Sequence, residues 1–203
     1  MTIRSFIAIP IAKQLRDELG DAAAQMAYQD KSNAVRWVDQ HNYHITLAFL
    51  GDQEQADLEI LADKFDRNLS NESFSFKVSH CSPFPESRPK LIAAMVKADD
   101  ALSSLQRQVQ SAISACSLLV DKRRFIPHIT LGRHRHSRNR FAGAIPNSLN
   151  LENTVNEVCL YESRLNASGA EYEVIFRFPF DDFDYGDPEY KSDTKHLGGE
   201  PQK

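Results

Sequence analysis

Apolar positions along the chain change period several times, and each change marks an element. Ile3 to Ile9 is a short apolar run ended by Pro10, which reads as a strand. From Ala12 to Tyr28 the apolar residues Leu15, Leu19, Ala22, Ala23 and Met26 recur at helical spacing with charges between them. Asn33 to Val38 predicts a second strand, and a turn around Asp39 to Asn42 leads to a third strand beginning at His44. Gly51 and Asp52 are expected to end that strand, with Asp52 capping a helix over residues 53–69 that buries Leu58, Leu61, Ala62 and Phe65. Phe74, Phe76 and Val78 then alternate with polar residues, as a half-buried strand does.

The second half repeats this order. A turn from Ser82 to Pro89 precedes an apolar strand, Leu91 to Val96. Asp99 and Asp100 open a helix that runs to about Cys116 through Leu102, Leu105, Val109, Ala112 and Ile113. After a loop from Asp121 to Arg124 comes a strand, Phe125 to Arg133, followed by a long polar loop reaching about Ser148. Two closing strands are predicted at Val155 to Leu165 and Glu171 to Phe178, joined by a turn at Ala167 to Gly169.

One tetrapeptide occurs twice on these strands, as His44-Ile45-Thr46-Leu47 and His128-Ile129-Thr130-Leu131. Chance placement of the 7 histidines and the threonines would give a His-x-Thr only about 0.2 times in this chain. Side chains alternate along a strand, so each His shares a face with its Thr about 6.6 Å away. The intervening Ile45, Leu47 and Phe49, or Ile129 and Leu131, are expected on the opposite face, against a core. The two motifs stand 128 − 44 = 84 residues apart, each after a strand and a helix. That repetition predicts an α+β fold of two pseudo-symmetric lobes. Each lobe would be an antiparallel sheet with helices on its outer face, and a central groove would carry the two His-x-Thr motifs.

At 203 residues, 41% hydrophobic and 26% charged, the chain is ordinary globular material. One domain over residues 1–183 and a disordered tail over 184–203 are expected. No apolar run approaches the roughly 18 residues of a membrane span, and no leader pattern opens the chain, so a cytoplasmic protein with no membrane partner is expected. Cys81, Cys116 and Cys159 form no CxxC pair and read as reduced, buried thiols. The net charge of −4 excludes a protein that coats nucleic acid, yet Lys122 to Arg140 holds basic residues and no acid around the second motif. A phosphate-bearing ligand would find a favourable field there.

Two histidines in one groove suit acid-base work at a phosphodiester. At neutral pH one imidazole can take a proton while the other gives one, and threonine hydroxyls can hold the nonbridging oxygens. No metal or cofactor is needed. Zinc is not expected either, because a catalytic site wants three protein ligands and neither motif brings a third. His41, His80, His134, His136 and His196 lack the motif and read as structural or surface residues, with His134 and His136 within reach of an RNA. Trp37 reads as a core residue, with base stacking by Trp37 or Tyr43 as the alternative.

The paired tetrapeptides have distinctive surroundings. Arg36-Trp37-Val38 precedes the first and Phe49-Leu50-Gly51 follows it, while Phe125-Ile126-Pro127 precedes the second. With Ser163-Arg164-Leu165, Gly169, Tyr172 and Phe178-Pro179-Phe180, these residues resemble the two-histidine (2H) phosphoesterases over about residues 3–180. The nearest likeness is to the LigT-like RNA 2',3'-cyclic phosphodiesterases, also called 2'-5' RNA ligases. The resemblance implies a metal-free enzyme acting as a monomer that opens RNA 2',3'-cyclic phosphates to 2'-phosphates, with 2'-5' ligation as a further activity. By position it makes His44 the general acid for the departing 3'-oxygen, His128 the general base, and Thr46 and Thr130 the phosphate-holding hydroxyls. Arg123 and Arg133 are implied phosphate or RNA contacts, although strict alternation puts Arg133 on the face opposite His128 unless a bulge turns it. Tyr43 stands where the family commonly has Leu, and is expected at the groove wall. A phosphodiesterase for small cyclic nucleotides or 2'-5' oligonucleotides, and an RNA-end binding module without turnover, remain open as alternatives.

Overall fold

A computed structural model of the chain describes residues 2–69, 72–97, 99–119, 124–135, 140–166 and 169–181. The expected tail over residues 184–203 lies outside the described residues, as does Arg123. Among the described residues nine strands form one antiparallel sheet: β1 Thr2–Pro10, β2 Val35–Trp37, β3 His44–Glu54, β4 Phe74–Phe84, β5 Leu91–Val96, β6 His128–His134, β7 Leu151–Val155, β8 Glu157–Asn166 and β9 Gly169–Pro179. The helices are α1 Lys13–Gln29, α2 Gln55–Asn68 and α3 Asp100–Ala115. Strand order is β7-β4-β5-β6-β3-β1-β8-β9, with β2 on the outer part of β6.

Two lobes meet in the middle of that order. One contains β3, β1, β8 and β9, the other β6, β5, β4, β7 and β2, and the two motif strands are joined by the single residue pair Ile45↔Ile129. Both isoleucines are fully buried in the apolar layer between sheet and helices. α2 and α3 pack on each other, with β3 behind both and β9 behind α2, whereas α1 packs on β2, β6 and β7. Thus α1 leaves β1 to cover the other lobe, and α3 leaves β5 to cover the lobe of β3. Asn153 of β7 fixes this exchange, its Oδ1 accepting from the backbone N of Ala12 at 2.9 Å, just before α1. The core is continuous across both lobes. Asp99 caps α3 as expected, its side chain accepting from Leu102 N at 2.7 Å.

Three boundaries differ from the sequence pattern. β3 does not stop at Gly51 and Asp52 but runs to Glu54, because β1 offers partners as far as Thr2↔Glu54. Gly51, at φ +73, sits in a bulge of that pair, where its freedom at positive φ is used. Asp52 caps nothing; α2 starts after Glu54, which makes no side-chain cap bond. β4 likewise continues through Ser82 and Pro83 to Phe84, pairing with β5, and Pro83 is tolerated because β7 has ended at the level of Val78. The strand predicted from Val155 to Leu165 is β8, which begins at Glu157 and pairs with β1, whereas the strand just before it, β7, was not expected and pairs with β4 in the other lobe. Cys81 and Cys159 are buried thiols and Cys116 is only half-buried; none is bridged. Among the described residues no helix is long and apolar enough to cross a membrane.

The Ile45↔Ile129 pair generates a stability prediction. Ile45→Ala or Ile129→Ala should each cost about 2–5 kcal/mol of unfolding free energy. The double variant should depart from additivity by more than 0.5 kcal/mol, as contacting residues do. Denaturant titration of the three variants tests both statements; simple additivity would mean that the two side chains do not support each other.

Candidate active site

Antiparallel pairing at Ile45↔Ile129 puts His44 and Thr46 of β3 beside Thr130 and His128 of β6 on the sheet face turned away from the helices. All four are half-buried, between fully buried neighbours, so the expected alternation holds over both tetrapeptides. The two imidazoles are held alike. His44 Nδ1–H donates to the carbonyl of Asn42 at 2.8 Å, and His128 Nδ1–H donates to the carbonyl of Ile126 at 2.7 Å. Each bond fixes the ring through the residue two places back and leaves Nε2 as the free nitrogen. At His44 that nitrogen lies 3.1 Å from Thr46 Oγ1, which donates to it while the ring is neutral.

Burial pulls the His44 imidazole down to about 4; the Asn42 carbonyl opposes this, while Arg133 and His128 add to it. His128 is also lowered, first by burial and then by Arg133, against the pull of the Ile126 carbonyl. Both rings are therefore neutral at pH 7 with the groove empty. The mutual repulsion would make them titrate as a coupled pair.

After each threonine the strand bulges at the leucine. Across β1, Ala8↔Thr46 is followed by Ile7↔Ala48, and across β5, Ala93↔Thr130 is followed by Ile92↔Gly132, so Leu47 and Leu131 are the extra residues. Parity reverses beyond the bulge. Phe49, expected in the core, instead shares the face of Thr46 and is 54% exposed. In the same way Arg133 opposes Leu91 on the face of Thr130, which places its guanidinium on the histidine side, in agreement with its effect on both rings. Gly132 makes the turn tight: a Cβ there would stand 2.5 Å from Val35 Cγ1 and 3.1 Å from Trp37.

The walls were only partly foreseen. Phe6 lies 4.9 Å from the His44 ring, Tyr172 5.2 Å and Tyr161 6.1 Å, while Phe84 stands 4.5 Å from the ring of His128. These contacts come from strands distant in sequence, and no local signal marks Phe6 or Phe84. Tyr43 is not at the groove wall; it is 5% exposed and part of the core. Trp37 packs against the core, edge-on to Phe141. Of the other histidines, His41 pairs with Asp39 at the surface and His80 bonds Ser79 Oγ at 2.9 Å, while His136 and His196 lie outside the described residues. Among the described residues no group of three or more His, Cys, Asp and Glu side chains is arranged to hold a metal ion.

A family model for the 2'-5' RNA ligase superfamily matches residues 10–167. The chain belongs to that superfamily. It is 30% identical over 183 residues to a Geobacillus stearothermophilus protein described as RNA 2',3'-cyclic phosphodiesterase, a match spanning 86% of this chain and 56% of that one. The Bacillus subtilis and Thermotoga maritima proteins of the same description are 27% and 25% identical, with 94% and 96% of their lengths covered. The fold is that of Escherichia coli LigT complexed with 3'-AMP, at a TM-score of 0.74, 23% identity, and coverage of 89% of this chain and 99% of that one. TT0787 of Thermus thermophilus superposes at a TM-score of 0.70, with 23% identity and 87% and 97% covered. These likenesses bear out the α+β, two-lobed architecture read from this superfamily member's duplicated pattern.

The ring environment can be measured directly. Long-range ¹H–¹⁵N spectra should show both imidazoles as the Nδ1–H tautomer at pH 7, with His44 titrating near 4 and His128 also below the ordinary 6.5. A His44 transition at or above 6.5 would mean that the ring is not desolvated as described.

Proposed function

We propose that this chain is a hydrolase, an RNA 2',3'-cyclic phosphodiesterase that opens the cyclic phosphate to a 2'-phosphate by acid-base catalysis between two histidines, without a metal. The observation that carries this reading is the pairing of two His-x-Thr strands at Ile45↔Ile129, with both Nδ1 atoms tied to carbonyls and His44 Nε2 bonded only to the Thr46 hydroxyl of its own motif. The activity named for the Geobacillus stearothermophilus, Thermotoga maritima and Bacillus subtilis relatives supports the substrate.

In this reading His128 Nε2 takes a proton from water as the oxygen attacks phosphorus. The bond from phosphorus to the 3'-oxygen breaks, and His44 Nε2–H delivers the proton that the leaving oxygen needs. The phosphate remains on the 2'-oxygen. Thr46 and Thr130 donate to the nonbridging oxygens, and Arg133 balances their charge. When a 5'-hydroxyl replaces water, the same steps form a 2'-5' link, so ligation belongs to the same proposal. The arrangement of all four motif residues by one chain supports action as a monomer, and three unbridged thiols support a cytoplasmic setting.

The neutral state of His44 in the empty groove demands that substrate recharge it. An incoming phosphate anion favours imidazolium and raises both rings. His128 must be neutral, so activity rises as pH climbs through its pKa; His44 must be protonated, so activity falls as pH climbs through its own. The profile of kcat/KM, which reports free protein, should therefore be a bell with its optimum below 6.5, and that of kcat should be displaced upward. Coincident profiles with an optimum above 7 would contradict the assignment.

His44→Ala and His128→Ala should each lower kcat by at least 10²-fold, and Thr46→Val or Thr130→Val by about 10²-fold, while all four variants melt cooperatively. Turnover of an oligonucleotide ending in a 2',3'-cyclic phosphate should persist in EDTA and yield a 2'-phosphate. Near-normal rates in either histidine variant, or loss of activity in EDTA, would refute the scheme. Product bound with cyclic substrate left unchanged would instead identify an RNA-end binding module, and turnover confined to cyclic nucleotides or 2'-5' oligonucleotides a small-molecule phosphodiesterase.

A further inference from the structure

Arg36 and Arg133 stand directly opposite each other on the antiparallel pair β2–β6. Both are exposed, and among the described residues neither guanidinium has an ion-pair partner. Like charges at opposed positions of a sheet destabilise the pair unless something anionic lies between them. Nearby carboxylates do not fill that role. Asp30 is occupied by the backbone N–H groups of Ala34 and Val35, at 3.0 and 2.9 Å, and Asp39 is engaged with His41. Glu86 lies in the turn before β5, ahead of Arg88 and Lys90.

The exposed Arg135 continues β6 two residues beyond Arg133, about 6.6 Å along a strand. It is held there by its own N–H, which donates to the carbonyl of Ala34 at 2.8 Å. From Thr130 outward, the lobe of β6 therefore presents arginines on or at the end of the histidine face. The other lobe differs in kind. Its residue equivalent to Arg133 by the repeat is Phe49, and the only arginine at the β8–β9 end, Arg164, is neutralised by Glu162 and Glu173 at 2.8 and 2.9 Å. The lobe of β6 and β2 is thus the more cationic, with Arg36, Arg133 and Arg135 exposed there against Arg4 of β1 in the other lobe, and Phe84 is its aromatic contact at His128.

We propose that the single-stranded RNA 5' to the reacting end leaves the groove across β6 and β2, with Arg36 and Arg135 gripping its backbone phosphates upstream of the cyclic one. This rests on the cyclic phosphodiesterase reading, and it makes the protein selective for a polynucleotide end over a cyclic mononucleotide. Neither arginine takes part in the chemistry.

The test compares a nucleoside 2',3'-cyclic phosphate with a single-stranded decamer carrying the same end. KM should be at least 10-fold lower for the decamer, and its kcat/KM should fall more steeply with salt. Two added phosphate contacts give a difference of about 1.4 in the log–log slope. The double variant Arg36→Gln/Arg135→Gln, which puts no carboxylate opposite Arg133, should abolish both differences while leaving kcat and KM for the mononucleotide unchanged. The single variant Arg135→Gln should reduce them partway and guards against loss of folding. Equal KM and equal salt slopes for the two substrates in the wild-type protein would overturn this proposal and leave the phosphodiesterase reading standing, as would a variant that weakens the mononucleotide as much as the decamer. If neither substrate turns over, the phosphodiesterase reading fails, and fluorescence anisotropy with a labelled decamer ending in a 2'-phosphate decides the matter. Binding there should weaken in the Arg36→Gln/Arg135→Gln variant, and equal affinity overturns the path.

Discussion

A single backbone pair holds the site together. Ile45 and Ile129 are the only residues through which β3 and β6 pair, and they are also the middle residues of the two His-x-Thr motifs. The contact is apolar and faces the core, so the hydrophobic layer that stabilises the lobes also sets the separation of two imidazoles on the other side of the sheet. Had the strands paired along their length, their faces would form one continuous surface; joined at one point, they splay and leave a groove. The bulges at Leu47 and Leu131 complete the arrangement by ending the alternation just past each threonine.

The electrostatics follow from that placement. Rings held where the two lobes of the sheet meet lose water, and Arg133 on the β6 lobe adds to the penalty on any added proton. The empty groove is thus positive by virtue of its arginine while its histidines wait uncharged. An anionic ligand changes this state on arrival, because its charge is what makes protonation of an imidazole favourable. Recognition and activation are in this way one event, with phosphate charge serving as the signal.

Much of this was legible in the sequence because two periodicities repeat. The helices around Leu15 and Leu102 and the strands carrying His44 and His128 each bury a stripe that local spacing reveals. What escaped were features fixed by a partner strand. Nothing near Gly51 says that β1 is long enough to carry β3 on to Glu54, and nothing near Val155 says that β7 and β8 belong to different lobes. Bulges are equally silent, which is why Phe49 was expected inside and Arg133 only conditionally in the groove. The ring contacts of Phe6 and Phe84 with the two histidines likewise exist only after the strands are ordered.

The crossing of α1 and α3 to opposite lobes has a consequence for where such a duplicated chain can have come from. A half consisting of one strand, one helix and one motif strand would leave its own sheet bare and hold out a helix that fits someone else's. Such a half is complete only as a pair of identical chains trading helices. Fusing that pair end to end gives the exchanged β1-α1-β3 and β5-α3-β6 units at the centre of the present topology, around which the remaining strands and α2 are added, and each motif is then free to diverge, one with a phenylalanine and the other with an arginine at the same place in the repeat.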